Sequence, residues 1–188
     1  HRCKNKNTLT IVMIHRIMPD PQANDDGADP LWTIRPEIFK QCLVFFQKYY
    51  NVISIHQLKH YIESNKPLPP HALLISLDDS WSDKYVHGFP LLKMYSLPSV
   101  LFVVGNSIGN QEPFWQEQIF AAGKKDAIDE DAIDRWMARL NKCPNEAMTY
   151  EQKIKYLIGV LSQLDPLIIR QFLESHLKEF HWSNRQML

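Results

Sequence analysis

Ala72-Leu-Leu-Ile-Ser-Leu-Asp-Asp-Ser-Trp81 decides the fold class of this chain. An unbroken apolar run ends in two adjacent acids, Asp78 and Asp79. A run this apolar predicts a strand covered on both faces, as in a parallel sheet. In α/β proteins, ligands and catalytic groups gather at the carboxyl ends of such strands. The acid pair stands where an α/β enzyme places its chemistry.

Working outward, Thr8–Ile14 predicts a first buried strand that ends at His15-Arg16. Residues 19–31 form a polar loop holding Asp20, Asp25, Asp26 and Asp29. A helix follows with Pro36 in its first turn, and Phe39, Leu43, Phe46 and Tyr50 recur at helical spacing. Asn51–Ile55 predicts a short strand, and His56–Ser64 a short helix. Lys66–Pro70 is a stiff connector to the Ala72–Leu77 strand. A helix over 83–95 and a buried strand over Leu97–Val104 complete the alternation, which predicts βα units on a mostly parallel sheet. Past Glu112 the pattern becomes helical, with helices over 114–123, 128–140, 149–164 and 166–180. The expected organisation is an α/β part over 1–110, a helical insertion over 111–180, and the start of a further helix over 181–188.

The composition narrows the function classes. The chain has 188 residues, 45% of them hydrophobic, with 21 basic and 21 acidic side chains. Zero net charge argues against nucleic acid or an anionic membrane as the main partner. No stretch is long and apolar enough to span a bilayer. Three cysteines, Cys3, Cys42 and Cys143, are too widely spaced for a disulfide framework or a zinc cluster, and Cys42 reads as a core thiol. The polar start, without an initiating Met, and the capping-box spacing of Ser183-Asn-Arg-Gln186 near the end suggest a piece of a longer protein.

Adjacent acids at a strand end admit three readings. They can cap a turn or a helix. They can divide metal binding and general-base work between them, because neighbouring strand residues point to opposite faces. A glycosidase-type pair is the third, although such acids face each other across a bond. His56 and His60 have the i,i+4 spacing that can chelate zinc, but they also read as solvated helix histidines. His176/His181 is a further pair. Asp83 reads as a structural or capping acid, and Glu130, Asp131 and Asp134 as a solvated helix face. Of the five tryptophans, Trp81 lies nearest the acids and is the candidate for stacking on a sugar ring. Trp32, Trp115, Trp136 and Trp182 read as packing residues.

Leu68-Pro-Pro-His-Ala-Leu-Leu-Ile-Ser-Leu-Asp-Asp-Ser-Trp-Ser-Asp-Lys-Tyr85 resembles the first motif of the polysaccharide deacetylases of the NodB-homology type, which usually reads Thr-Phe-Asp-Asp-Gly after a Pro-rich lead-in. Phe89-Pro-Leu-Leu-Lys-Met-Tyr-Ser-Leu-Pro-Ser-Val-Leu-Phe-Val-Val104 is similar to that family's next helix and strand. Ile11-Val-Met-Ile-His-Arg-Ile17 resembles its opening strand, and Trp182–Leu188 the short helix before its second motif. The resemblance implies a partial distorted (β/α) barrel and metal-dependent removal of N-acetyl groups from a polysaccharide. It implies Asp78 as catalytic base, Asp79 as a metal ligand and His15 as a residue near the reacting centre. Zinc is the implied cofactor of the complete protein. The implied substrate is an N-acetylated glycan, such as peptidoglycan, a chitin-like polymer or an exopolysaccharide of N-acetylglucosamine. The implied setting is the cell envelope, the periplasm or the outside of the cell. Three departures stand out: Ser80 replaces the motif's Gly, Ser76-Leu77 replaces Thr-Phe, and the second motif's pair of histidines is absent. A non-catalytic module that binds glycan or a partner is the alternative. An unrelated α/β fold, in which the acids only cap, is the third reading.

Overall fold

The computed structural model describes residues 8–20, 28–79, 81–109, 113–142 and 147–177. They divide into two compact units. One holds residues 8–20 and 30–109 of the described set, the other 28–29 and 113–177.

The first unit is built around β5 (Ala72–Asp78), whose first six residues are all buried. β1 (Thr10–Ile14) runs parallel to it, with Thr10 opposite Leu73 and Ile14 opposite Leu77. On the other side of β5, β4 (Asn51–Val52) pairs with its first two residues and β6 (Val100–Phe102) with Ser76–Asp78, both parallel. The mostly parallel sheet is therefore as the sequence predicts. Its flanks are less covered than predicted. β1 alternates, leaving Ile11 and Met13 exposed, and β6 exposes Leu101 and Phe102. An apolar run marks a strand, but the neighbours that cover its faces are chosen elsewhere in the chain.

α1 (Pro36–Tyr49) opens with Pro in its first turn, where the missing N–H costs nothing. Its Phe39, Leu43 and Phe46 pack on Ile14, Leu73, Ile75 and Leu77. Alternate residues of β5 thus face the helix, which leaves Leu74, Ser76 and Asp78 on the opposite face. α2 (Ile55–Glu63) starts from a capping box of Ser54 and Gln57. Two further short strands flank the polar loop of residues 19–31. β2 (Arg16–Ile17) and β3 (Thr33–Ile34) pair in parallel as a separate ribbon. The predicted helix over 83–95 is a π-helical turn, Lys84–Gly88, running into α3 (Phe89–Met94). Pro90 has no N–H to continue an α-helical ladder through this point, and Phe89 N–H bonds back to the Lys84 carbonyl instead.

The second unit consists of α4 (Trp115–Lys124), α5 (Glu130–Arg139), α6 (Tyr150–Leu161) and α7 (Pro166–His176). Ile119, Ile133, Met137, Ile154, Leu157 and Phe172 form its core. Gly123 lets α4 and α6 approach closely, since a Cβ there would lie 2.8 Å from the Ile154 side chain. Glu130 and Asp134, predicted as a solvated face, are about half exposed and also hold Lys153 of α6 at 2.9 and 2.8 Å. The two acids sit four residues apart on one face of α5 and pull Lys153's pKa up through their hydrogen bonds. No helix among the described residues is long and apolar enough to cross a membrane.

Candidate functional site

β5 carries Asp78 to the carboxyl end of the sheet. Its Oδ1 accepts a hydrogen bond of 3.0 Å from Ser76 Oγ, two residues back on the same face. The Ser that stands in place of the motif's Thr thus keeps a hydroxyl where it can orient the carboxylate. Asp79 leaves the strand in a left-handed conformation, φ +64°. Asp is one of the few residues other than Gly that tolerate this region. The two acids are therefore separated by a turn as well as by strand alternation. Ser80 lies outside the described residues.

Ile14 is in register with Leu77, so His15 follows β1 at the sheet end where β5 carries Asp78. The His15 and Trp32 rings lie 4.8 Å apart, tilted by 53°. The structure thus places His15 and Asp78 at the same sheet end.

Trp81 needs a correction. Expected to stack on a sugar, it is 1% exposed, and the Arg16 guanidinium lies over its ring at 4.3 Å. A ring buried this way has no face to offer a ligand and acts as a packing residue. Trp32, read from the sequence as packing, is instead 55% exposed. Nothing in the hydropathy of either neighbourhood separates the two cases.

Beneath the acids lies a buried charge cluster that sequence reasoning reached only through Asp83. Arg16, Asp83 and Lys84 are each at most 4% exposed. Arg16 Nε donates to Asp83 Oδ2 at 2.5 Å, and Lys84 Nζ lies 3.6 Å from Asp83 Oδ1. Lys84 Nζ also donates to the His15 carbonyl, and Arg16 Nη2 lies 3.5 Å from Met18 Sδ. Burial lowers the Lys84 pKa, against the opposing pull of the Asp83 and Asp79 carboxylates. The cluster ties the segment after β1 to the segment after β5, and so ties His15 to the acidic turn. The i,i+67 separation of Arg16 and Asp83 hides this pairing from any local reading.

Among the described residues, no group of three or more His, Cys, Asp or Glu side chains could hold a metal ion. A catalytic zinc takes three protein ligands and an open position. Asp79 supplies one carboxylate, so these residues do not by themselves fit a zinc site. His56 and His60 are exposed on α2. His176 accepts a hydrogen bond from Trp136 Nε1 in the helical unit, and His181 lies outside the described residues. Cys42 is half-buried, and burial raises its thiol pKa.

No family model matches the chain. Over 70 residues it is 27% identical to "Putative polysaccharide deacetylase YxkH" of Bacillus subtilis, which covers 37% of this chain and 25% of that protein. Over 84 residues it is 27% identical to the poly-beta-1,6-N-acetyl-D-glucosamine N-deacetylase of Escherichia coli, covering 44% of this chain and 12% of that one. The matches thus span a quarter or less of these relatives' own lengths. Among solved structures, IcaB from Ammonifex degensii aligns over 90% of this chain and 70% of its own, at 19% identity and a TM-score of 0.48. The motifs and these sequence matches all indicate the polysaccharide deacetylase family.

Proposed function

We propose that this chain contributes the base-bearing part of a hydrolase that removes N-acetyl groups from an N-acetylated polysaccharide. The observation that carries the reading is Asp78, held by Ser76 at the carboxyl end of the central strand, with His15 in adjacent register. In this reading a water molecule attacks the acetamide carbonyl and Asp78 takes its proton. The tetrahedral intermediate then breaks its C–N bond, the leaving nitrogen accepts a proton, and acetate and a free amino sugar result. His15 lines the same sheet end and orients substrate or water there. Within the same proposal, the α/β unit is part of a distorted (β/α) barrel, and the work is done at the cell envelope or outside the cell. The poly-beta-1,6-N-acetyl-D-glucosamine specificity in one relative's name supports an N-acetylglucosamine polymer as substrate.

Zinc rests on the family likeness alone. Asp79 is the ligand this chain would supply, and the other donors would have to come from outside the described residues. That same lack of a three-donor cluster favours a second reading, a non-catalytic module that binds glycan. Acetate release from an N-acetylglucosamine oligomer, with zinc added and with chelator, separates the two. Release by the wild-type chain that Asp78→Asn abolishes supports the hydrolase. Oligomer binding without release supports the binding module.

A further inference from the structure

Trp32 is a large aromatic residue that the fold leaves more than half exposed at the sheet end that carries His15 and Asp78. Its backbone is fixed. Its carbonyl accepts the Arg16 N–H at 3.0 Å, and the next residue, Thr33, is paired with Arg16 in the β2–β3 ribbon. Its ring rests on His15. Arg16 in turn is anchored by its buried bond to Asp83. An exposed indole held this firmly loses little freedom when it covers a ligand.

Beside the ring lies a cavity of about 300 Å³, bordered by Met13, His15, Leu31 and Trp32. That is at the lower limit of the size range for small-molecule sites. Its character is apolar, with an imidazole at the margin. The apolar C–H face of a pyranose, or the methyl of an acetamido group, suits such a surface. The sugar hydroxyls would remain free to bond with His15 and water.

We propose that Trp32 is a substrate-binding platform, stacking on an N-acetylhexosamine ring next to the one that reacts at Asp78. The inference rests on the deacetylase reading and deepens it by naming the residue that grips the polymer. His15, in contact with the platform and next in sequence to Ile14, which pairs with Leu77 beside the acid, links the two positions.

The test uses the full chain and a β-1,6-linked N-acetylglucosamine pentasaccharide, with binding followed by calorimetry and turnover by acetate release. Trp32→Ala is expected to weaken binding about five- to tenfold, the worth of one aromatic contact. Trp32→Phe should recover most of the loss, and the turnover defect should fall on KM. Circular dichroism checks that both variants fold. Unchanged binding and KM in Trp32→Ala, while Asp78→Asn still abolishes release, would overturn the platform and leave the deacetylase reading standing. Failure of the wild-type chain both to bind the sugar and to release acetate would overturn the two together. Self-association that Trp32→Ala weakens and the sugar leaves unaffected would assign this surface to a second protein chain, which also overturns the proposal.

Discussion

Asp78 and Asp83 are both acids near the end of one strand, yet their surroundings assign them different work. Asp78 is half-buried and accepts a hydrogen bond from Ser76. Asp83 is buried between two cations. Replacing Asp83 by Asn leaves Arg16 and Lys84 buried without their counter-charge, which costs about 3–5 kcal/mol. A urea titration of Asp83→Asn is therefore expected to show a large drop in midpoint. Asp78→Asn should leave that midpoint within about 0.5 kcal/mol of wild type, the range of substitutions that disturb no packing. It should reduce acetate release by about 10²–10⁴-fold, the usual contribution of a positioned base. Ser76→Ala removes the hydrogen bond that orients Asp78 and should slow release by a smaller factor, measured at saturating oligomer.

At the scale of elements, the close approach of α4 and α6 depends on the missing side chain at Gly123. Gly123→Ala would put a methyl against Ile154, and overpacking of this kind costs about 1–3 kcal/mol. A lowered melting midpoint of the helical unit checks it. α7 ends on a pH-sensitive contact. Trp136 Nε1 can only donate, so His176 Nε2 must accept, at 2.6 Å, and be unprotonated there. Burial first, then the Arg135 charge, lowers the His176 pKa below its ordinary 6.5. The unfolded chain thus binds this proton more readily than the folded one. The stability from neutral His176 is complete above about pH 6.5 and is lost as pH falls through the lowered folded value. His176→Gln should flatten this acid limb, read from urea midpoints between about pH 7 and pH 4.

At the scale of the whole molecule, the two units have separate cores with no residue in common. Separate cores predict separate cooperative transitions. Calorimetry is expected to resolve two, with Asp83→Asn shifting one and Gly123→Ala the other. A single transition moved equally by both variants would contradict this.

Much of the candidate site was legible because its signals are local. The run Ala72–Leu77 ending in Asp78 is a buried parallel strand with an acid at its carboxyl end, and that follows from hydropathy and the length of the run. The motif order around His15, Asp78 and Asp79 points to the deacetylase family from the chain alone. Helical spacing placed α1 and the four helices of the second unit, because a 3.6-residue period is written in the chain itself. Tertiary structure alone decided which tryptophan is covered. Trp81 and Trp32 are equally apolar, yet one ring is buried with the distant Arg16 over it and the other is exposed. The same holds for the Arg16–Asp83–Lys84 cluster and the β2–β3 ribbon, whose partners lie far apart in sequence. The sequence by itself determined most of the elements and the placing of an acid at the end of β5. Folding decided which charges are buried together and which aromatic ring stays exposed, because burial and pairing depend on neighbours that only the assembled chain supplies.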